Sequence, residues 1–99
     1  MSIAQPYLLF LGDVTDPISA KTARGIALWR PELCVGELRL TAETVSLGLE
    51  KLTLEQALEQ GAKTLIIGTA NAGGVIPETW KPTLIKAAQL GFSIASGMH

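Results

Sequence analysis

The sequence predicts an α/β fold: a three-layer, Rossmann-like parallel sheet of about four strands with flanking helices. Two observations carry this. Four short strand-like runs stand at 6–12, 33–38, 64–69 and 92–96, and the first is continuously apolar, as expected of a strand buried on both faces. The segments between them carry helical periodicity and helix punctuation, and are long enough for parallel crossovers.

The first run, "PYLLFLG", ends on a glycine and leads through "DVTDP" into a helix over about 18–29. Ile18, Thr22, Ile26 and Trp29 fall on one stripe of that helix, while Lys21 and Arg24 point elsewhere. Asp16 before Pro17 reads as its N-cap. Gly25 lies beside the stripe; a helical glycine costs about 1 kcal/mol against alanine, so it predicts close packing against a neighbour. Pro31 ends the helix, and "LCVGEL" follows as the second strand, with Cys34 a small buried hydrophobe. Residues 39–52 read either as a short edge strand, with Val45, Leu47 and Leu49 on one side, or as an ordered loop. Thr53 and Gln56 form a capping box for the next helix, which Gly61 stops. The third strand, "TLIIGT", is followed by a helix over about 79–90. Trp80, Leu84, Ala87 and Ala88 share one face of it, Pro82 sits in its first turn and Gly91 is its stop. Trp29 and Trp80 read as packing residues. "FSIAS" is the fourth strand.

Composition narrows the function. A chain of 99 residues makes one domain, 1–99, able to bury roughly 60–65% of its unfolded surface. It is 47% hydrophobic and 17% charged, a balance that favours a partner domain or a homo-oligomer to cover part of the surface. A net charge of -1 and a pI of about 5.7 supply no basic field for nucleic acid. The lone Cys34 excludes an internal disulfide and a cysteine-cluster metal site, and no metal is expected. No apolar run is long enough to be a signal peptide or to span a membrane as a helix. The expectation is a cytoplasmic protein. The last strand needs cover on both faces and no fourth helix is present to give it, so the chain reads as the amino-terminal part of a longer protein.

In open parallel sheets, ligands bind beyond the carboxyl ends of the strands. Three loops meet that edge: "GDVTDP", "GTANAGG" and "SGMH". They and the helix after the first loop nominate Asp13, Asp16 and His99 as catalytic candidates. The ligand-binding candidates are Gly12, Lys21, Thr22, Arg24, Gly68, Thr69, Asn71, Gly73, Gly74, Ser96 and Gly97. A dinucleotide fingerprint would place three glycines after the first strand; Gly12 stands there alone, with Asp13 and Asp16 repelling an anion. A P-loop would follow Gly68 and Gly73 with lysine and a hydroxyl, where Gly74 and Val75 stand instead. NAD, FAD and ATP therefore have no motif here. The backbone amides of 68–74 still suit a carboxylate or phosphate, since glycines permit close approach.

The blocks "PYLLFLGDVTDPISAKTARGIALWRPELCVGELRL", "LIIGTANAGGVIP" and "ASGMH" resemble the N-terminal Rossmann-like domain of a bacterial family. That family was long catalogued as a domain of unknown function and sometimes labelled NAD-dependent epimerase/dehydratase. Some of its members are D-glutamate N-acetyltransferases. The resemblance spans nearly the whole chain and is weakest at 41–52. It implies a small-molecule amino-acid substrate, acetyl-CoA as co-substrate, and a C-terminal P-loop-like domain that is absent from this chain. The dehydrogenase label conflicts with the missing fingerprint. Two classes of function follow: one wall of an acetyl-transfer site, or a non-catalytic Rossmann-like module for ligand binding or assembly.

Overall fold

The computed structural model describes residues 4–16, 18, 20–68 and 77–96. Four strands form one parallel sheet: β1 (Tyr7–Gly12), β2 (Cys34–Arg39), β3 (Thr64–Ile67) and β4 (Ser93–Ser96). Their spatial order is β2-β1-β3-β4. Three helices alternate with them: α1 (Lys21–Trp29), α2 (Leu54–Glu59) and α3 (Lys81–Gln89), with 3-10 turns at Pro31–Leu33 and Glu78–Trp80. This is a Rossmann-like α/β architecture.

The run "LLFL" becomes the centre of the sheet because nothing polar interrupts it. Leu8, Leu9, Phe10 and Leu11 are all fully buried, alternate residues facing opposite layers. Leu8 and Phe10 pack with Leu65, Trp80, Leu84 and Ala87 beneath α2 and α3. Leu9 and Leu11 pack with Ala20, Ala23 and Ile66 beneath α1. The β1-to-β2 and β3-to-β4 connections run in opposite directions across the sheet and use opposite faces, which gives both the same hand. The point where the direction reverses lies between β1 and β3.

Local signals hold at several element ends. Thr53 and Gln56 make the full capping box, with both hydrogen bonds present. Gly61 and Gly91 take φ of 88° and 101° at the ends of α2 and α3. Pro82 falls in the first turn of α3. Beyond the end of β2, residues 40–52 are an ordered loop that makes one parallel bridge to the sheet, Lys51 with Glu37. Among the described residues no helix is long and apolar enough to cross a membrane.

Helix α1 departs from its predicted form. It begins at Lys21 rather than near Ile18, its N-cap is Ala20, and no side chain caps it. Asp16 instead accepts the Ile18 N–H at 3.0 Å, one turn earlier. The stripe also faces differently. Ala20 and Ala23 are buried, whereas Ile18 and Trp29 are 79% and 84% exposed. Small side chains let the helix lie close on β1 and β3, and this rotates the large ones outward. Gly25 has no close neighbour among the described residues: a side chain built there meets none of their atoms within 4 Å. In α3, Trp80, Leu84 and Ala87 are buried as their spacing predicts, but Ala88 is exposed.

Candidate functional site

The reversal between β1 and β3 is a topological switch point, where doubly wound sheets open a crevice for ligands. The loops after those two strands are the ones that carry Gly12, Asp13 and Asp16 on one side and Gly68 on the other. Thr69, Asn71, Gly73, Gly74, Gly97 and His99 lie outside the described residues. Ser96 ends β4 in register with Ile67.

Gly12 turns the chain at φ 61°. Its carbonyl accepts two hydrogen bonds, from the Leu40 N–H at 2.8 Å and the Thr44 hydroxyl at 3.1 Å. A Cβ at Gly12 would stand 2.5 Å from the Trp80 indole. The backbone is thus pressed between the start of α3 and the loop after β2.

Asp13, the next residue, is tied to the start of α3. Its carboxylate oxygens accept the Trp80 indole N–H at 2.8 Å and the Thr79 hydroxyl at 2.9 Å. Trp80 is in turn set edge-on against Phe10, with ring centroids 5.3 Å apart. The Trp80 and Thr79 bonds lower the Asp13 pKa below its ordinary 3.8, because a carboxylate that accepts hydrogen bonds resists protonation. Asp13 is therefore a weak base and a good anchor. Being lowered in the folded state, its contribution to stability is full above the unfolded value and is lost as pH falls through the folded value. Asp13→Asn keeps an acceptor and removes the titration. Its acid unfolding limb should be flatter than that of the natural chain below about pH 4, checked by thermal melts from pH 6 to 2. Parallel acid limbs would refute the anchoring role.

Gly68 fixes the near end of the segment after β3. Its N–H reaches the Phe10 carbonyl at 3.3 Å, and its own carbonyl accepts the Ala23 N–H at 3.0 Å. A Cβ at Gly68 would collide with the Ala23 side chain. The glycine thereby lets the first turn of α1 dock on the end of β3.

The first-turn residues of α1 are split. Lys21 and Thr22 line a groove beside Tyr7 and Ile66. Arg24 looks to the other side, into a smaller cleft with Val45, Ser46 and Leu47. The structure thus separates Arg24 from the lysine and threonine with which the sequence groups it. Cys34 is half-buried, and burial raises its thiol pKa above 9.0, with the Glu32 charge adding to the shift. It is a poor nucleophile.

Sequence reasoning passes over Glu37, Arg39, Thr44, Thr79 and the hydrogen-bonding role of Trp80. Glu37 is fully buried, and its Oε1 accepts the Leu47 and Leu49 N–H groups at 2.7 and 3.3 Å. Its Oε2 lies 2.9 Å from Arg39 Nε, a charge contact without hydrogen-bond alignment. An acidic residue inside an apolar strand run was the available signal. A cleft of about 520 Å³ also opens between the N-terminal ends of α2 and α3, lined by Arg39, Lys51, Thr53, Thr83 and Lys86. Lys86 pairs there with Glu55 at 2.6 Å. Among the described residues no three His, Cys, Asp or Glu gather at a spacing that would hold a metal ion.

Residues 40–99 match the family model described as a domain of unknown function (DUF1611_N), Rossmann-like domain. Two curated relatives carry the name D-glutamate N-acetyltransferase. The protein from Tritonibacter scottomollicae is 52% identical over 97 residues, 98% of this chain and 29% of the relative. The protein from Pseudoalteromonas sp is 48% identical over 99 residues, 100% of this chain and 30% of the relative. The chain therefore spans about a third or less of the length of these relatives.

Proposed function

The chain belongs to the DUF1611_N family of Rossmann-like domains, and on that premise we propose that it is the N-terminal domain of an acetyl-CoA-dependent N-acetyltransferase. The substrate is D-glutamate or a related amino acid. The observation that carries this reading is the near-half identity, across almost the whole chain, with two proteins named for that activity.

The chemistry sets the parts required. The substrate ammonium must lose a proton to a base before its nitrogen attacks the thioester carbonyl; the C–N bond forms, the C–S bond breaks, and the nitrogen's second proton goes to the departing sulfur, giving the amide and the coenzyme A thiol. Asp13, with both oxygens holding Thr79 and Trp80, suits positioning. Base duty falls to Asp16 or His99. Substrate carboxylates are held by the amides of Gly73 and Gly74 with Asn71; Arg24, which lines the cleft on the other side of α1 from Lys21 and Thr22, is set apart from them. Gly12, Lys21, Thr22, Gly68, Thr69, Ser96 and Gly97 complete the wall. The coenzyme A pocket lies in a further P-loop-like domain of the longer polypeptide. This domain takes neither NAD nor FAD, since Gly12 stands alone where a fingerprint would need three glycines. The full protein works in the cytoplasm as a homo-oligomer.

The test is coenzyme A release by the full-length protein with D- and L-glutamate. Turnover with the D-enantiomer is expected, and no release with any amino acid overturns the proposal. In that assay Asn71→Ala and Gly73→Ala should each lower turnover at least about tenfold, roughly 1.4 kcal/mol of transition-state stabilisation. Wild-type rates in both variants would move the substrate site away from 68–74.

A further inference from the structure

Arg24 stands in a cleft of its own. Ala20, Arg24, Ala27 and Leu28 follow one another at i, i+4, i+7 and i+8, on the side of α1 away from Lys21 and Thr22. Across a space of about 330 Å³ they face the segment after β2, which presents Val45, Ser46, Leu47 and Leu49. Hydrogen bonds hold that far wall in place. The Val45 N–H donates to the Val14 carbonyl at 3.0 Å, and the Leu47 and Leu49 N–H groups donate to the buried Glu37 carboxylate. Ala27, Val45, Leu47 and Leu49 are half-buried against the core on this face, so the floor of the cleft is apolar and already formed.

Two polar groups interrupt this apolar lining. Ser46 Oγ accepts the Gly48 N–H at 3.1 Å, which leaves its own hydrogen to donate. The Arg24 guanidinium has no ion pair among the described residues, and no acid lines the cleft. The other two arginines, Arg30 and Arg39, each stand against a glutamate. We propose that this cleft is a second ligand site, separate from the crevice at the switch point, which takes a small monocarboxylate with an apolar chain and no ammonium group. A guanidinium fits a carboxylate through two parallel N–H donors, and the Ser46 hydroxyl adds a third. The chain of the ligand then covers Ala27, Val45, Leu47 and Leu49. An ammonium at the far end of that chain would lie on apolar wall with no acid to pair it, which is costly. A free amino acid is thereby the poorer occupant.

This inference does not rest on acetyl transfer, so binding rather than turnover is measured. The full-length protein, methyl-labelled at valine and leucine, is titrated with hexanoate and followed by NMR. Saturable shifts are expected at Val45, Leu47 and Leu49. Arg24→Gln, at an exposed position, should weaken hexanoate at least about tenfold, whereas Arg30→Gln should leave its affinity within about twofold. Hexanamide, which lacks the charge, and ε-aminohexanoate, which adds the ammonium, should each bind at least about tenfold more weakly. No saturation by about 50 mM hexanoate, an affinity a ligand of this size should reach, overturns the site. So does equal binding of hexanamide, or unchanged affinity in Arg24→Gln. Displacement of hexanoate by D-glutamate would overturn its separateness and put Arg24 with the substrate.

Discussion

Gly12→Ala is expected to destabilise the protein by about 3 kcal/mol or more, lowering Tm by about 12 °C or more. Two costs combine. Alanine in the left-handed region at φ 61° loses about 1–2 kcal/mol. Its Cβ also meets the Trp80 indole at 2.5 Å, and overpacking of this kind costs about 1–3 kcal/mol. The indole cannot yield easily, because it is buried, stacked edge-on against Phe10 and hydrogen-bonded to Asp13. The same substitution in a Trp80→Leu background should cost only about 1–2 kcal/mol, since only the backbone penalty remains. Strictly additive effects in thermal or urea unfolding would show that Trp80 does not set the cost.

Glu37→Ala should cost about 3–5 kcal/mol, the range for breaking a buried ion pair from one side. It removes the charge partner of the part-buried Arg39 guanidinium, which keeps its bond to the Thr44 carbonyl, and the acceptor of the Leu47 and Leu49 amides. Glu37→Gln keeps that acceptor and loses the charge, so its loss should be smaller. Amide exchange at Leu47 and Leu49 should accelerate in the alanine variant well before global unfolding. Exchange that rises only with global unfolding would mean that Glu37 does not hold this loop. The loop covers part of the α1 face through Val45, Leu47 and Leu49, so its release would also expose apolar surface.

Much of the fold was legible because its signals are local. An uninterrupted apolar run has no polar face to offer water, so "LLFL" could only be a strand covered on both sides. Thr53 and Gln56 satisfy helix-end donors three residues apart, and Gly61 and Gly91 stop helices by taking positive φ. The shared edge of the loops after the strands was legible in outline, since a parallel sheet places them at one end. The apolar stripe of α1 was legible only in part. Helical spacing marks Ile18, Ile26 and Trp29 as alike, but Ile26 packs inward while Ile18 and Trp29 are exposed, because the docking distance to the sheet chose Ala20 and Ala23 for the fully buried positions.

The sequence by itself determined the strand and helix succession, the parallel sheet, and the two glycine-bearing loops after β1 and β3. Periodicity, caps and breakers act over a few residues, and those interactions are written in neighbouring letters. Only the tertiary structure decided the order β2-β1-β3-β4, and with it the placement of those two loops at the switch point. It alone paired Asp13 with Thr79 and Trp80, more than sixty residues away, and turned Glu37 from one acid in a strand into the lock on a loop. These contacts depend on which faces and edges meet once apolar surface is buried. Residues far apart in the chain become neighbours by packing, and sequence spacing carries no record of that distance.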